Sequence, residues 1–102
     1  MGSYLLLYHG GAAPTSLAEG EQVMKAWVDW FTTLGDKVEH AGNPTSTTQT
    51  VAADGSVSDA SSDVTGFSVI KADSWDDAVK TASTCPHRTA GGTIEVVQVD
   101  PM

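Results

Sequence analysis

A chain of 102 residues with a hydrophobic share of 40% has room for one domain around one core and not for two. Thirteen acidic residues against five basic ones leave a formal net charge of −8. The acids are spread as a solvated surface, which excludes the Lys/Arg patch that nucleic acid or an anionic membrane would require.

Cys85 is the single cysteine, so no intramolecular disulfide can form, and a reducing compartment is the expectation. The start, Met1 to Tyr8, has no basic segment, and its apolar run is too short for a signal or a membrane span. The expected location is the cytoplasm.

Tyr4 to His9 is an apolar run closed by Gly10-Gly11 and reads as a buried strand. Ala12 to Ser16, with Pro14, is a loop. Ser16-Leu17-Ala18-Glu19 has the form of a capping box and opens a helix that runs to about Leu34, with Gly35 as its C-cap. Along it Val23, Trp27, Trp30, Phe31, Leu34 and Val38 make one apolar stripe, while Lys25 and Asp29 pair on the outer side. Lys37 to Ala41 is a short strand or extended connection before a turn at Gly42-Asn43-Pro44.

The Thr- and Val-rich stretch from Thr45 to Ala53 predicts a strand, turned back at Asp54-Gly55 to pair with Ser56-Val57-Ser58. An extra hairpin is thus expected around residues 47–58, then a polar loop from Asp59 to Asp63. In the strand from Val64 to Ala72, Phe67 and Val69 face one way, Ser68 and Ile70 the other. Ser74 caps a second helix bearing Trp75, Ala78, Val79 and Ala82, which Pro86 stops near Cys85. His87 to Gly92 is a loop, and Thr93 to Val99 is the last strand. The order β-α-β-(hairpin)-β-α-β predicts an α+β fold of split βαβ type, two helices on one face of an antiparallel sheet. The other sheet face stays apolar, so a second copy of the chain packing sheet to sheet is expected to cover it.

The ordered set of local motifs resembles the YCII-related domain family. It comprises the opening Tyr4 to Gly11, Trp27-x-x-Trp30-Phe31, Leu34-Gly35-Asp36, Gly42-Asn43-Pro44, Val51 to Ser56 and Thr65 to Ser68. The series ends with Asp76 to Val79, Cys85-Pro86 and Gly91 to Val96. The resemblance spans almost the whole chain. It implies one domain over residues 1–102 with a ferredoxin-like fold, a homodimer of the dimeric α/β-barrel kind, and a cleft between sheet and helices near the subunit interface. One branch of the family looks like muconolactone isomerase and includes a dehydrochlorinase of aromatic degradation. In that branch a His on the first helix and a nearby Asp serve as an acid/base pair. Here the matching stretch around Met24 and Lys25 has no His, and the second position falls near Leu34, so that chemistry does not carry over. The Asp-Gly-Pro-Phe motif of another branch is also missing.

Among chemistry-bearing residues, His9 stands at a strand end beside two glycines and titrates near neutrality, which makes it a candidate general base. The competing reading is a half-exposed His bonded to backbone. His40 is the second candidate. If Lys37 to Ala41 runs beside the first strand, His40 approaches His9 and shares a polar pocket with Asn43; otherwise it is a surface His before a turn. His87 reads as a solvated loop residue. Trp27, Trp30, Asn43 and Ser68 are the expected ligand contacts, with core packing as the alternative for at least two of the aromatics Trp27, Trp30 and Phe31.

Trp75 reads as packing and Cys85 as a buried, inert thiol. Asp54, Asp59 and Asp63 lack the spacing of a calcium loop, and the three histidines lack metal-ligand spacing, so no metal and no cofactor is expected. Ser56, Ser58, Ser61 and Ser62 nominate no nucleophile. The functional expectation is a homodimeric module binding a small metabolite. The alternative is a cofactor-free isomerase or lyase that moves a proton on a small aromatic or lactone-like compound through His9 or His40. A third possibility, a structural dimer without ligand, requires that no cleft reach about 300 Å3.

Overall fold

The computed structural model describes residues 1–59 and 62–102. The described elements run in the order β1 (Gly2–His9), α1 (Leu17–Leu34), β2 (Val38–Pro44), β3 (Gln49–Val51), β4 (Val57–Asp59), β5 (Val64–Ala72), α2 (Trp75–Ala82) and β6 (Thr93–Val99). Short 3-10 turns occupy Gly35–Lys37 and Pro86–Arg88. Four strands form one antiparallel sheet in the order β2-β5-β1-β6, and β3 and β4 form a separate hairpin. This is the ferredoxin-like arrangement with the added hairpin. Part of the expected Asp59–Asp63 loop, Ser61 included, lies outside the described residues.

Side-chain alternation explains the layering. On β1, Tyr4, Leu6 and Tyr8 are buried toward the helices, while Leu5, Leu7 and His9 point to the other face and are half-buried. On β5, Ser68, Ile70 and Ala72 join the core and Phe67 and Val69 face away. Trp30, Ala78, Ala82 and Cys85 close the core from the helix side. Leu6 and Ile70 are fully excluded from water, and each such aliphatic side chain contributes about 1.5–3 kcal/mol by burial.

Both helices start where the sequence places them. Ser16 Oγ accepts from the Glu19 N–H at 3.1 Å, and Ser74 Oγ accepts from the Asp77 N–H at 3.2 Å. The capping box is only half formed: the Glu19 carboxylate accepts from Thr15 Oγ1 at 2.9 Å rather than reaching back to the Ser16 backbone. Trp75 is held at the start of α2 with its ring 6.0 Å from that of Tyr4.

The segment from Lys37 to Pro44 decides one open alternative and overturns one expectation. It lies at the sheet edge beside β5, not beside β1. And Gly42-Asn43-Pro44, expected as a turn, instead continues β2 through a bulge, where the register jumps from His40↔Val69 to Asn43↔Phe67. Gly42 has φ +84°, and a Cβ there would overlap the Phe67 carbonyl oxygen. A glycine within an edge strand marks such a bulge and close backbone approach, and Pro44 is tolerated because it ends the edge strand. Only Gln49–Val51 of the predicted 45–53 strand forms, and the Asp54 carboxylate organises the turn by accepting from Ser56 N–H and Oγ–H.

Candidate functional site

The apolar stripe of α1 covers the sheet incompletely where β1 ends in Gly10-Gly11 and β2 ends at Pro44. A cleft remains there, in two adjoining lobes of about 730 Å3 and about 410 Å3. Both exceed the lower bound of about 300 Å3 for ligand sites. Val23, Trp27, Pro44, Thr65 and His87 border both lobes and form the waist between them. Gly10 to Pro14 walls the wider lobe, and Met24, Asn43 and Ser68 are among the residues of the narrower one.

Of the six residues nominated from sequence, Trp27, Asn43 and Ser68 meet at this cleft. Trp27 stands with its ring edge-on to Tyr8 at 5.2 Å. Ser68 is fully buried and spends its hydroxyl on structure: it accepts from Tyr8 Oη at 2.7 Å and donates to the Ala41 carbonyl at 2.6 Å. Burial drives the Tyr8 hydroxyl above its ordinary titration range, with Ser68 opposing. Trp30 does not border either lobe. It is buried and donates Nε1–H to Thr84 Oγ1 at 2.9 Å, tying α1 to the segment after α2.

His87 is where the sequence reading erred. It is no solvated loop residue: the 3-10 turn after Cys85 folds it half-buried into the waist of the cleft. Its Nε2 lies 2.9 Å from the His9 carbonyl, and its ring lies 5.3 Å from the Tyr8 ring. The imidazole occupies space that two glycines leave open. A Cβ on Gly92 would run into Nε2, and one on Gly11 would come within 2.8 Å of Cε1. The paired glycines at residues 10–11 and 91–92 were the sequence signal, read there only as strand boundaries. Cys85 is buried as expected, and desolvation raises its thiol, as suits an inert core cysteine.

His9 and His40 lie away from the cleft lining. β5 runs between their strands, and their partners on it, Val64 and Val69, stand five residues apart, roughly 16 Å at strand rise. The condition for the two imidazoles to approach, β2 running beside β1, is not met, and His40 takes the alternative place of a surface His. His40 is exposed, accepts from the Gly42 N–H at Nδ1 (2.9 Å) and lies 5.9 Å from the Phe67 ring. His9 is held from both sides: Nε2 is 2.8 Å from Glu95 and Nδ1 2.9 Å from Asp63. Glu95 arrives by register, since it pairs with Leu7 and so projects on the same face as His9. Among the described residues no group of three His, Cys, Asp or Glu is arranged to hold a metal ion, and no helix is long and apolar enough to cross a membrane.

The two carboxylates, Glu95 foremost and then Asp63, raise the His9 pKa in the folded chain. An unfolded His titrates near 6.5. The pair therefore contributes its full stability below about pH 6.5 and loses it as pH climbs through the higher folded value. The melting temperature of the wild type, measured against His9→Gln, is expected to hold its advantage at about pH 6 and shed it by about pH 9. A difference that is flat or grows with pH contradicts the pairing.

Comparison with known proteins follows the same outline. No curated protein matches the chain. Among solved structures, the chain is similar to a 5-chloro-2-hydroxyhydroquinone dehydrochlorinase from Burkholderia phenoliruptrix AC1100, in complex with 2,5-dihydroxybenzoquinone. The TM-score is 0.58 at 22% identity, covering 97% of this chain and 95% of that one, which establishes a common fold. The model of the YCII-related domain matches residues 4–102, and the chain belongs to that family.

Proposed function

We propose that the domain is a homodimeric binding module for a small planar aromatic metabolite, held at the waist of the cleft against Trp27. The observation that carries this reading is the meeting of two ligand-sized lobes at one indole and one imidazole, Trp27 and His87. Apolar walls with a few converging polar groups are the usual make-up of a small-molecule site. The related dehydrochlorinase, in complex with a hydroxylated quinone, supports a ring-shaped ligand in the shared fold.

Pairing is supported by the sheet face away from the helices, which presents Leu5, Leu7, Phe67 and Val69 half-buried and Val97 and Val99 at 36% and 47% exposure. Soluble monomers seldom leave a contiguous patch of that kind uncovered. Hydroquinone, titrated calorimetrically, is expected to bind the wild type. Trp27→Ala should weaken it at least about tenfold, equivalent to 1.4 kcal/mol of lost contact. Light scattering at low protein concentration should give the dimer mass. Absence of binding, or equal binding by the variant, sinks the cleft reading, and a monomer mass sinks the pairing.

The alternative, proton transfer on a small aromatic or lactone-like compound by His9 or His40, is less well supported. Both His9 nitrogens are engaged by carboxylates, and His40 accepts a backbone N–H.

A further inference from the structure

The carbonyl of His9 can only accept a hydrogen bond, so the nitrogen 2.9 Å from it, His87 Nε2, carries the hydrogen. In the neutral ring that leaves Nδ1 as a bare acceptor. Nδ1 has no hydrogen-bond partner among the described residues, and among the same residues no buried side-chain nitrogen or oxygen is left without one, so Nδ1 is open to the space around it. His87 borders both lobes of the cleft, and Nδ1 lies on the side of Gly11, which walls the wider lobe: a Cβ built on Gly11 would come within 3.4 Å of it. The neighbouring polar groups do not compete for it. Ser68 and Tyr8 satisfy one another and the Ala41 carbonyl, and Thr65 Oγ1 lies 3.1 Å from the Gly10 carbonyl, to which it donates. The ring cannot turn over to exchange its nitrogens without losing the His9 bond, and Gly11, Gly92 and Tyr8 crowd it on its flanks.

We infer that His87 is the ligand-recognition residue of the cleft, a hydrogen-bond acceptor of locked tautomer, and that the ligand it selects carries an un-ionised hydroxyl on its aromatic ring. The inference rests on the cleft reading above and makes it specific. A hydroxyl in the plane of a ring beside Trp27 donates to Nδ1, whereas an ether at the same position brings two acceptors together and leaves the Nδ1 lone pair unsatisfied once water is excluded. Discrimination of this kind, from a polar group left unpaired, exceeds what apolar contact alone provides.

The matched probes are 2-naphthol and its methyl ether, 2-methoxynaphthalene, titrated at about pH 7 against the wild type and His87→Phe. Phe keeps a ring in the space between Gly11 and Gly92 and carries no side-chain acceptor, and its loss of the bond to the His9 carbonyl falls on both probes alike. The wild type is expected to bind the naphthol at least tenfold more tightly than the ether, and His87→Phe to bind the two alike, at the affinity of the ether. In 15N spectra of the free wild type, His87 is expected to show a protonated Nε2 and an unprotonated Nδ1, with Nδ1 moving on addition of naphthol. Equal binding of both probes by the wild type, or the opposite tautomer, overturns the inference and leaves the cleft reading standing. Loss of both probes in His87→Phe makes the residue structural and likewise overturns it. Failure of the wild type to bind either probe overturns the inference, and the cleft reading falls with it where hydroquinone also fails to bind.

Discussion

Replacing Leu6 with alanine is expected to lower the unfolding free energy by about 2–5 kcal/mol, the range for truncating a fully buried leucine. Leu6 is wholly excluded from water at the centre of β1, paired with Ser68 on one side and Val96 on the other. It therefore sits in the interior where β5, β1 and β6 meet the helices. A domain of this size has a total stability of about 5–15 kcal/mol, and each kilocalorie moves the melting temperature by about 4–8 °C. A fall of about 10 °C or more in thermal denaturation is the expected result. Val99→Ala, at a position 47% exposed on the open sheet face, should stay within about 1 kcal/mol when measured on a monomer. Equal losses at the two sites would mean that the core is not where Leu6 lies.

Those two positions also show what could be read before any coordinates. The face on which each strand residue lies follows from period-two alternation, so Phe67 and Val69 separate from Ser68 and Ile70 on sequence alone. Helix starts were readable because Ser16 and Ser74 supply the side-chain acceptor that an exposed N–H needs. What escaped were relations between distant segments. Strand order is set by which edges complete the sheet, and nothing local to Lys37–Ala41 says that it docks on β5. Asp63 was read as a solvated loop acid because its partner, His9, is 54 residues away. His87 was assigned to solvent because polar loop residues usually are solvated. Its burial depends on Gly11 and Gly92 leaving room for a ring, a relation between three segments that no window of sequence contains. Of the cleft, Trp27, Asn43 and Ser68 were legible as residues but not as neighbours.

Gly42→Ala is expected to cost about 3 kcal/mol or more and to damage the cleft as well as the fold. Two effects act at this position, and a second glycine separates them. Gly55 has nearly the same backbone, φ +89° against +84°, but a Cβ there meets nothing within 4 Å. Gly55→Ala thus reports the conformational strain alone, about 1–3 kcal/mol. At Gly42 the added methyl group would also overlap the Phe67 carbonyl oxygen, so β2 must move off β5. Movement there stretches the bond from Ser68 to the Ala41 carbonyl, leaving a buried hydroxyl without its acceptor, a further penalty of about 1–3 kcal/mol. Ala41 to Pro44 also walls the narrower lobe, so the displacement reaches Asn43 and the space beside Trp27. Urea denaturation should therefore rank the two variants with Gly42→Ala clearly the less stable. Calorimetry at low temperature should show hydroquinone affinity reduced in Gly42→Ala and unchanged in Gly55→Ala. If the two glycines prove equivalent in both measurements, the bulge does not carry the wall of the site, and the link from edge-strand geometry to ligand binding fails with it.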